Sequence, residues 1–567
     1  MESLKKMLVL VVVGLLAGAA NAAVVDVPAG LITTSQTWTA DNVYRLKGQV
    51  YVAPGATLTI EAGTLIASLP ADQGSLAICR GAKIYANGRC DAPIIFTSTN
   101  DDFKTWRGVC NEWGNVTIMG KAVISGYKYK GNIMTYKDGY SAPVVTNTAA
   151  LDGVDKREME GLVADAPGDP KVLYGGDDDN DNSGSMSYVS LRYGGKVIGL
   201  ANELNGLSLG GVGRETDISH IEIMNNVDDG IEIWGGTVNM KYVSIWNVGD
   251  DSFDVDQGYR GKVQFAFIVC GYSADAAQGS GVCDNAFEMD GSEDSDGQPV
   301  TTSVVYNATV IGQPLANRRG VAYRDGARVQ FRNCIFMDLG ERLVRNDNSD
   351  GDGGSGYGYN GTLSWNETWT NPYTEMWNTS NPKTGGHVNA NGLTSAQLQA
   401  VYTAQSSGNL NQISDSVFFR NLWTSGGETA YTVYDTVSAL PGANNVNNVI
   451  AAYNVSSPDD NMPIKRLIRG PVTIKGGKQL LPVVYVDPRA ANAALTSVAA
   501  APNDGFFTPA QYRGAFNADE NWLIGWTAAY QYGMTDGGTF SAVDINGDCK
   551  VDLGDFAHIS ESWLLNL

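Results

Sequence analysis

Short runs of alternating apolar and polar residues recur along the middle of the chain. The runs HIEIM, YVSIW and QFAFI are each bounded by Gly, Asn or Asp residues. When apolar residues alternate with polar ones, every second side chain lies on the same face. This pattern predicts strands and not helices. The runs repeat every 22 residues, and a strand-turn unit of this length indicates a parallel β-solenoid. We expect two interior ladders, one of Ile221, Val243 and Phe265 and one of Ile223, Ile245 and Phe267.

The same pattern, with looser spacing, extends over much of the chain. Residues from about 40 to 345 are expected to form the stack of coils, within a β-helix domain spanning 23–534. Two Gly-, Asp- and Asn-rich stretches interrupt the pattern, near 99–185 and near 346–440. Such compositions favour loops. The sequence therefore predicts one elongated domain with two insertions outside the stack.

The first 22 residues have the layout of a signal peptide. Lys5 and Lys6 precede an apolar run, and the small residues Ala20 and Ala22 mark a cleavage point. The run is too short to span a bilayer, and no later segment is long and apolar enough to do so. We therefore expect a secreted or cell-surface protein without a transmembrane segment after cleavage.

Composition narrows the classes of partner. The formal net charge of −22 argues against nucleic acid, because phosphate contacts require basic side chains. The many carboxylates suit an extracellular protein and provide hard oxygen ligands for calcium. Three histidines and seven cysteines without CxxC spacing disfavour zinc. Cysteines close in sequence, such as Cys270 and Cys283, leave two alternatives open: disulfides or buried thiols.

Four stretches carry a family resemblance. The segments GAKIYANGRCDAPIIFTS, NELNGLSLGGVGRETDISHIEI, DDGIEIWGGTVNMKYVSIWNVGDDSFDVDQGYRGKVQF and FFTPAQYRGAF…NWLIGWT together resemble exported bacterial surface proteins. The resemblance covers most of 40–345 and returns at 504–527. It implies an all-β fold, the right-handed parallel β-helix, and an exported context. The resemblance implies little about activity. Some proteins of this group are lipoproteins, but the leader of this chain lacks the lipobox cysteine that they carry.

The C-terminal stretch 535–567 contains a candidate calcium loop, DINGDCKVDLGD. Oxygen ligands at positions 1, 3, 5, 7, 9 and 12 form the cage that a hard cation requires. After the loop, apolar residues recur with the period of an amphipathic helix. The stretch resembles a single loop of a dockerin, which implies attachment to a cohesin-like or cell-surface partner. The alternative is a solvated acidic tail without a specific function. The expected ligands are Asp544, Asn546, Asp548, the Lys550 carbonyl, Asp552 and Asp555.

Two Asp pairs one coil apart are the candidate catalytic residues: Asp228 with Asp229, and Asp250 with Asp251. At solenoid turns such pairs are often structural, because Asp caps backbone groups and tolerates tight turns. Polygalacturonase-type glycosidases have a similar arrangement, which implies inverting hydrolysis with one carboxylic acid and one carboxylate base. Those enzymes also place a histidine one coil later, where this chain has Ser273.

A calcium-dependent polysaccharide lyase is the second enzymatic alternative. The Asp pairs would hold calcium, and Lys241 or Arg260 would serve as base. Three aromatic residues, Trp234, Trp246 and Tyr259, are either a sugar-stacking platform or turn packing. With no histidine beside the Asp pairs, the sequence favours a non-catalytic, polysaccharide-associated scaffold over either enzyme.

Overall fold

The computed structural model describes most of the chain outside both termini and several loops. The described residues are 22–125, 128–130, 133–135, 156–166, 168–199, 202–273, 280–291, 299, 301–316, 318–346, 365–370, 410–421, 447–452 and 456–536.

Parallel strands dominate the described residues and confirm the predicted right-handed parallel β-helix. Ten strands form one sheet, here called the short sheet, in which each strand pairs with the strand one coil away. Its strands are β2 (Gly30–Ile32), β5 (Gln49–Val52), β8 (Ser75–Ile78), β11 (Val116–Met119), β19 (Leu207–Gly210), β21 (Ile231–Trp234), β23 (Phe253–Asp256), β25 (Asn285–Met289), β28 (Arg319–Tyr323) and β31 (Val344–Asn346).

Eighteen strands form the second sheet, here called the long sheet. Its strands are β1 (Ala23–Val27), β3 (Gln36–Trp38), β4 (Asn42–Leu46), β6 (Thr57–Ile60), β7 (Leu65–Ser68), β9 (Lys83–Asn87), β10 (Ile94–Ser98), β16 (Gly184–Arg192), β20 (Asp217–Asn226), β22 (Asn239–Val248), β24 (Lys262–Val269), β26 (Val304–Tyr306), β27 (Thr309–Ile311), β29 (Gln330–Arg332), β30 (Ile335–Met337), β32 (Gln412–Ser414), β33 (Val417–Phe419) and β34 (Val449–Ile450).

Within the described ranges, five antiparallel pairs and a few short helices lie outside the coils. The pairs are β12 (Lys128–Lys130) with β13 (Ile133–Thr135), β14 (Arg157–Glu158) with β15 (Leu173–Tyr174), β17 (Val197–Gly199) with β18 (Asn202–Glu203), β35 (Ile464–Arg469) with β38 (Val483–Ala490), and β36 (Thr473–Lys475) with β37 (Lys478–Leu480). The helices are α1 (Trp365–Thr370), α2 (Ala528–Gln531) and two 3₁₀ turns, Pro70–Asp72 and Asn492–Leu495. No helix in the described ranges is long and apolar enough to cross a membrane.

Four strands of the long sheet bend midway at an aromatic residue with positive φ. Tyr188, His220, Tyr242 and Phe265 have φ values of 51°, 52°, 58° and 62°. A left-handed conformation costs a non-glycine residue about 1–2 kcal/mol. The rings stack in register across the coils, with centroids 4.1, 4.3 and 4.9 Å apart, and this stacking offsets the cost.

The predicted ladders are correct over two coils and wrong in the third. Ile221 pairs with Val243 and Ile223 with Ile245, but the next members are Ala266 and Ile268. One residue is added in the turn after β23, so the interval from β22 to β24 becomes 23 residues. Phe265 and Phe267 instead face outward, where Tyr512 and Phe516 pack against them. Alternation could not reveal this shift, because both faces of β24 are apolar and buried.

The stack is longer than the predicted 40–345. Its strands begin with β1 and continue to β34, and β11, β32 and β33 lie inside the two predicted insertions. The segment 462–534 then runs back along the outer face of the long sheet and buries a second apolar cluster there. Of the two cysteine alternatives, Cys270 and Cys283 form a disulfide, whereas Cys79 and Cys334 are buried thiols.

Candidate functional site

The two Asp pairs occupy equivalent turns of adjacent coils, as their 22-residue offset predicts. Asp228 and Asp229 precede β21, and Asp250 and Asp251 precede β23. The Asp251 backbone N–H donates to Asp229 Oδ1 at 2.7 Å, which joins the two turns directly. Asp228, Asp229 and Asp251 are only 5, 6 and 4 % exposed, so these carboxylates are buried and not open to solvent.

Further carboxylates extend the pairs onto the outer face of the short sheet. Glu232 is in register with Asp254, and Asp254 is in register with Glu288 on the next strand. Since side chains alternate across a strand, all three project from the same face. Together with the pairs and with Asp290 they form what is here called the acidic patch: Asp228, Asp229, Glu232, Asp250, Asp251, Asp254, Glu288 and Asp290.

A side-chain bond and a glycine shape the turn that carries the first pair. The Asn226 carboxamide donates to the carbonyl oxygens of Leu204 and Asp229, at 3.0 and 2.9 Å. Gly230 lies so close to the next coil that a Cβ atom there would sit 2.5 Å from the Ser252 carbonyl oxygen. An alanine at this position would therefore push the coils apart.

Carboxyl oxygens converge at two points in the patch. One oxygen each from Asp228, Asp229 and Asp250 lie within 4.8 Å of one another. Oxygens of Asp229, Glu232 and Asp254 do the same, so Asp229 belongs to both groups. Like charges at such separations repel strongly wherever water does not screen them.

Burial and mutual repulsion raise the pKa values of six patch members: Asp229, Glu232, Asp250, Asp251, Asp254 and Asp290. For Asp229, Asp251 and Asp254 burial is the main cause, and neighbouring carboxylates push each pKa well above its ordinary range. The same causes raise the pKa of Asp250 to about 7, with Asp284 as the strongest neighbour. Without a counter-ion, the patch favours protonated carboxyl groups near neutral pH.

The patch fits a calcium ion by two independent criteria. Calcium takes oxygen ligands at about 2.3–2.6 Å, so two ligands of one ion lie at most about 5 Å apart. Both carboxylate groups satisfy that limit. In addition, Asp254 is 8 % exposed, and its buried Oδ1 has no hydrogen-bond partner among the described residues. An orphaned buried oxygen is costly unless a cation or a proton satisfies it.

Cationic side chains lie at one end of the patch. Arg324 Nη1 donates to Glu288 Oε2 at 2.7 Å and to Asp290 Oδ2 at 3.0 Å. Arg318 Nη1 contacts Asp284 at 2.9 Å. The Arg324 side chain is 38 % exposed. These arginines thus neutralise part of the negative charge at this end of the patch.

The proposed lyase bases are not beside the Asp pairs. Arg260 is fully buried, and its guanidinium binds the Asp179 carboxylate and the Val123 carbonyl oxygen. Lys241 lies on the long sheet, where its Nζ donates to Thr508 Oγ1 at 3.1 Å. Neither residue faces the acidic patch.

The three aromatic residues of the candidate sugar-stacking platform are buried packing residues. Trp234 is 4 % exposed and lies against Tyr174, which comes from the first insertion. Trp246 and Tyr259 are completely buried, and the Tyr259 hydroxyl donates to the Val238 carbonyl oxygen. A sugar ring cannot reach any of the three.

Sequence reasoning missed Glu232, Asp254, Glu288 and Asp290. The 22-residue offset relates Glu232 to Asp254 and could have revealed them. Glu288 escapes that signal, because the loop after β24 lengthens its coil. The predicted signal peptide, apart from its last residue, and all six predicted calcium ligands of the tail, Asp544, Asn546, Asp548, Lys550, Asp552 and Asp555, lie outside the described residues.

Comparison with known proteins places the chain in one family. No curated protein and no solved structure matches it. The family model described as a pectate-lyase-like β-helix domain matches residues 30–139 and 164–426. These matches cover most of the coils and the whole acidic patch, and they relate the protein to polysaccharides. The chain therefore belongs to the pectate-lyase-like β-helix domain family.

Proposed function

We propose that the protein is an extracellular, non-catalytic polysaccharide-binding β-helix that holds calcium in its acidic patch. The observation that carries the proposal is the buried Oδ1 of Asp254, which has no hydrogen-bond partner in the described part of the chain and lies within a group of carboxylates close enough to share one ion. Asp228, Asp229, Glu232, Asp250 and Asp254 are the residues that would hold it. When bound, calcium would neutralise the patch, and sugar oxygens would reach it from the side of the half-buried Glu232 and Asp250.

An acidic polysaccharide is the class of ligand that the surroundings favour. The patch itself repels anions unless its charge is compensated. Arg324 lies at its end with a side chain that is 38 % exposed, and a guanidinium is a good partner for carboxylates. A uronate-containing chain would therefore meet a calcium-neutralised patch and a partly exposed arginine along the same face.

Binding is better supported than catalysis. Inverting glycosidases separate their two carboxyl groups by about 6.5–9.5 Å, which leaves room for the attacking water. The oxygens of Asp228, Asp229 and Asp250 lie within 4.8 Å, which suits a shared cation. A lyase would require a base near the patch, and Arg324 is held there by hydrogen bonds to the carboxylates of Glu288 and Asp290.

The experiment is a calcium titration of the full chain by calorimetry after metal removal. We expect Asp229→Asn to abolish binding at the patch, because this residue belongs to both carboxylate groups. Asp26→Asn, on the exposed face of β1, is the matched control. Polygalacturonate and alginate are then tested with calcium and with chelator. Equal calcium binding by Asp229→Asn and the control would refute the proposal.

The enzymatic alternative has its own test. The protein is incubated with the same polymers, and reducing ends and unsaturated products are measured. We expect neither above background. Turnover that Asp251→Asn abolishes would establish catalysis at the Asp pairs, whereas turnover that survives this substitution would exclude them.

The proposal includes export and attachment through the C-terminal stretch. The leader composition and the loop DINGDCKVDLGD support it, since Asp544, Asn546, Asp548, Lys550 and Asp555 supply oxygen at calcium-binding spacing. Asp548→Ala should remove one calcium site and leave the patch intact, whereas Asp229→Asn should do the reverse. If Asp548→Ala leaves the calcium stoichiometry unchanged, the stretch is a solvated acidic tail and not an attachment module.

A further inference from the structure

A line of polar side chains runs along the first half of the long sheet, on a face well separated in each coil from the acidic patch. Pairwise register places Thr37 beside Thr59, Thr59 beside Tyr85, and Tyr85 beside Ser185. The line continues from Ser185 to Asp217 and from Asp217 to Asn239. We call these six residues the polar track.

The alternation of each strand directs the track outward. The residues that follow track members in sequence, such as Ile60, Ala86, Met186 and Ile218, are buried in the core. Thr37, Tyr85 and Asp217 are exposed, and the other members are half-buried. Each coil therefore presents one hydrogen-bonding side chain or aromatic ring at the same position.

A second polar column borders the track. Asn87, Ser187, Ser219 and Lys241 follow one another in register on the same strands. The Asn87 carboxamide donates to Ser185 Oγ at 2.8 Å, which ties the two columns together. Most of these side chains are short and lose little rotamer entropy when a ligand orders them.

Tyr85 is the aromatic member of the track. Its ring is 37 % exposed, although it lies in mid-sheet between Thr59 and Ser185. An exposed ring flanked by hydroxyl groups offers an apolar surface beside hydrogen-bonding partners. That combination matches a pyranose ring, which has apolar C–H faces and a hydroxyl-bearing edge.

A groove of about 480 Å³ lies at the C-terminal end of the track. Asn239, Lys241 and His220 line it on the sheet side, and Phe506 from the returning C-terminal segment lines it opposite. Lys241 Nζ lies 4.8 Å from the centre of the Phe506 ring. The groove therefore combines hydrogen-bonding groups with an aromatic wall.

The charges along this surface favour a neutral ligand. Asp217 and Glu215 lie in the groove with Lys241 and Arg214, so the two signs balance. The first four members of the track carry no charge. An anionic chain would meet Asp217, whereas hydroxyl groups can both donate to carboxylates and accept from lysine.

We infer that the polar track binds a single extended chain of neutral β-linked sugars, one ring per coil. Neighbouring strands lie about 4.7–4.9 Å apart, close to the length of one ring in such a chain. Successive rings would therefore meet equivalent side chains, with one ring on Tyr85 and one chain end in the groove. The inference is independent of the acidic patch and of its proposed calcium.

The test is calorimetry of the full chain, in chelator, with the β-1,4-linked hexasaccharides cellohexaose, mannohexaose and xylohexaose. Maltohexaose, whose α-linkages coil the chain, is the comparison ligand. We expect at least one extended hexasaccharide to bind more tightly than maltohexaose. Tyr85→Ala should weaken that binding about tenfold, as expected for a lost aromatic contact. Asn239→Ala should weaken it as well.

Leu31→Ala is the control, because Leu31 is an exposed apolar residue on the short sheet. Unchanged thermal unfolding of the Tyr85→Ala variant would show that it is folded. Failure of all three extended hexasaccharides to bind would overturn the inference. The inference would also be overturned if maltohexaose bound as tightly as the extended hexasaccharides, or if Tyr85→Ala bound them as tightly as the unsubstituted protein. A loss of affinity in Leu31→Ala equal to that in Tyr85→Ala would overturn it as well. Chelator removes the calcium-dependent binding proposed above, so the two proposals fail separately.

Discussion

At the residue scale, the buried Asp254 carboxylate destabilises the metal-free fold but would stabilise a bound cation. It is buried on β23, in register with Glu232 on one side and Glu288 on the other. Burial raises its pKa first, and Glu288 and Asp256 raise it further. A carboxylate in such surroundings destabilises the metal-free fold unless it is protonated.

Asp254→Asn should therefore have opposite effects on calcium affinity and on metal-free stability. We expect calcium affinity at the patch to fall at least about tenfold, or about 1.4 kcal/mol. The unfolding midpoint in chelator should rise, because a neutral carboxamide avoids the cost of protonating or burying a carboxylate at this position. Calorimetry and thermal unfolding measure the two effects, with Asp26→Asn as control. A lower midpoint in chelator would show that Asp254 is satisfied without a cation.

At the element scale, the returning C-terminal segment is fixed to the long sheet by a buried carboxylate. Glu222 accepts the backbone N–H groups of Ala528 and Ala529, at 2.6 and 3.1 Å. It also accepts the Ser190 hydroxyl at 2.6 Å. Its carboxyl group lies near the buried Arg192, whose Nη1 donates a hydrogen bond to Gln531 Oε1 of α2. This network explains how α2, only four residues long, holds its position.

Glu222→Ala should destabilise the fold by about 1–3 kcal/mol, the usual cost of leaving buried hydrogen-bond donors without their acceptor. The loss should also expose the segment near α2 to protease, because two backbone donors lose their acceptor. Denaturant unfolding and limited proteolysis are the measurements, and Asp26→Ala is the exposed control. Destabilisation below about 0.5 kcal/mol, the range of surface substitutions, would contradict this account.

At the scale of the whole molecule, the acidic patch links stability to pH and calcium. Burial raises the pKa of Asp250 from 3.8 to about 7, and other patch members shift in the same direction. Between these values the folded chain retains protons that the unfolded chain has released. Stability without metal is therefore complete below about pH 4 for these groups and is lost as the pH rises towards 7.

In chelator we expect the unfolding midpoint to fall between pH 5 and 7.5 by several degrees. Saturating calcium should raise the midpoint most at the upper end, since the ion replaces the lost protons and binds only the folded state. Differential scanning calorimetry at three pH values is the measurement. The Asp229→Asn variant should show a smaller calcium effect. A midpoint that rises with pH in chelator would contradict the raised pKa values.

The sequence by itself determined the fold and part of the site. The 22-residue offset was enough to predict the solenoid, the ladders over two coils and the stacking of Asp229 on Asp251. A repeat carries this information because each coil contacts mainly its neighbours, so position along the chain translates directly into position along the stack.

The tertiary structure alone decided what lies on the outside of the coils. The residue added in the turn after β23 directs Phe267 outward, and the segment 462–534 buries it there. Glu288 joins Asp254 across a loop that breaks the repeat, and Arg260 pairs with Asp179, 81 residues away. Inward positions are set by a local period, whereas outward positions depend on which distant segment, ion or ligand covers them.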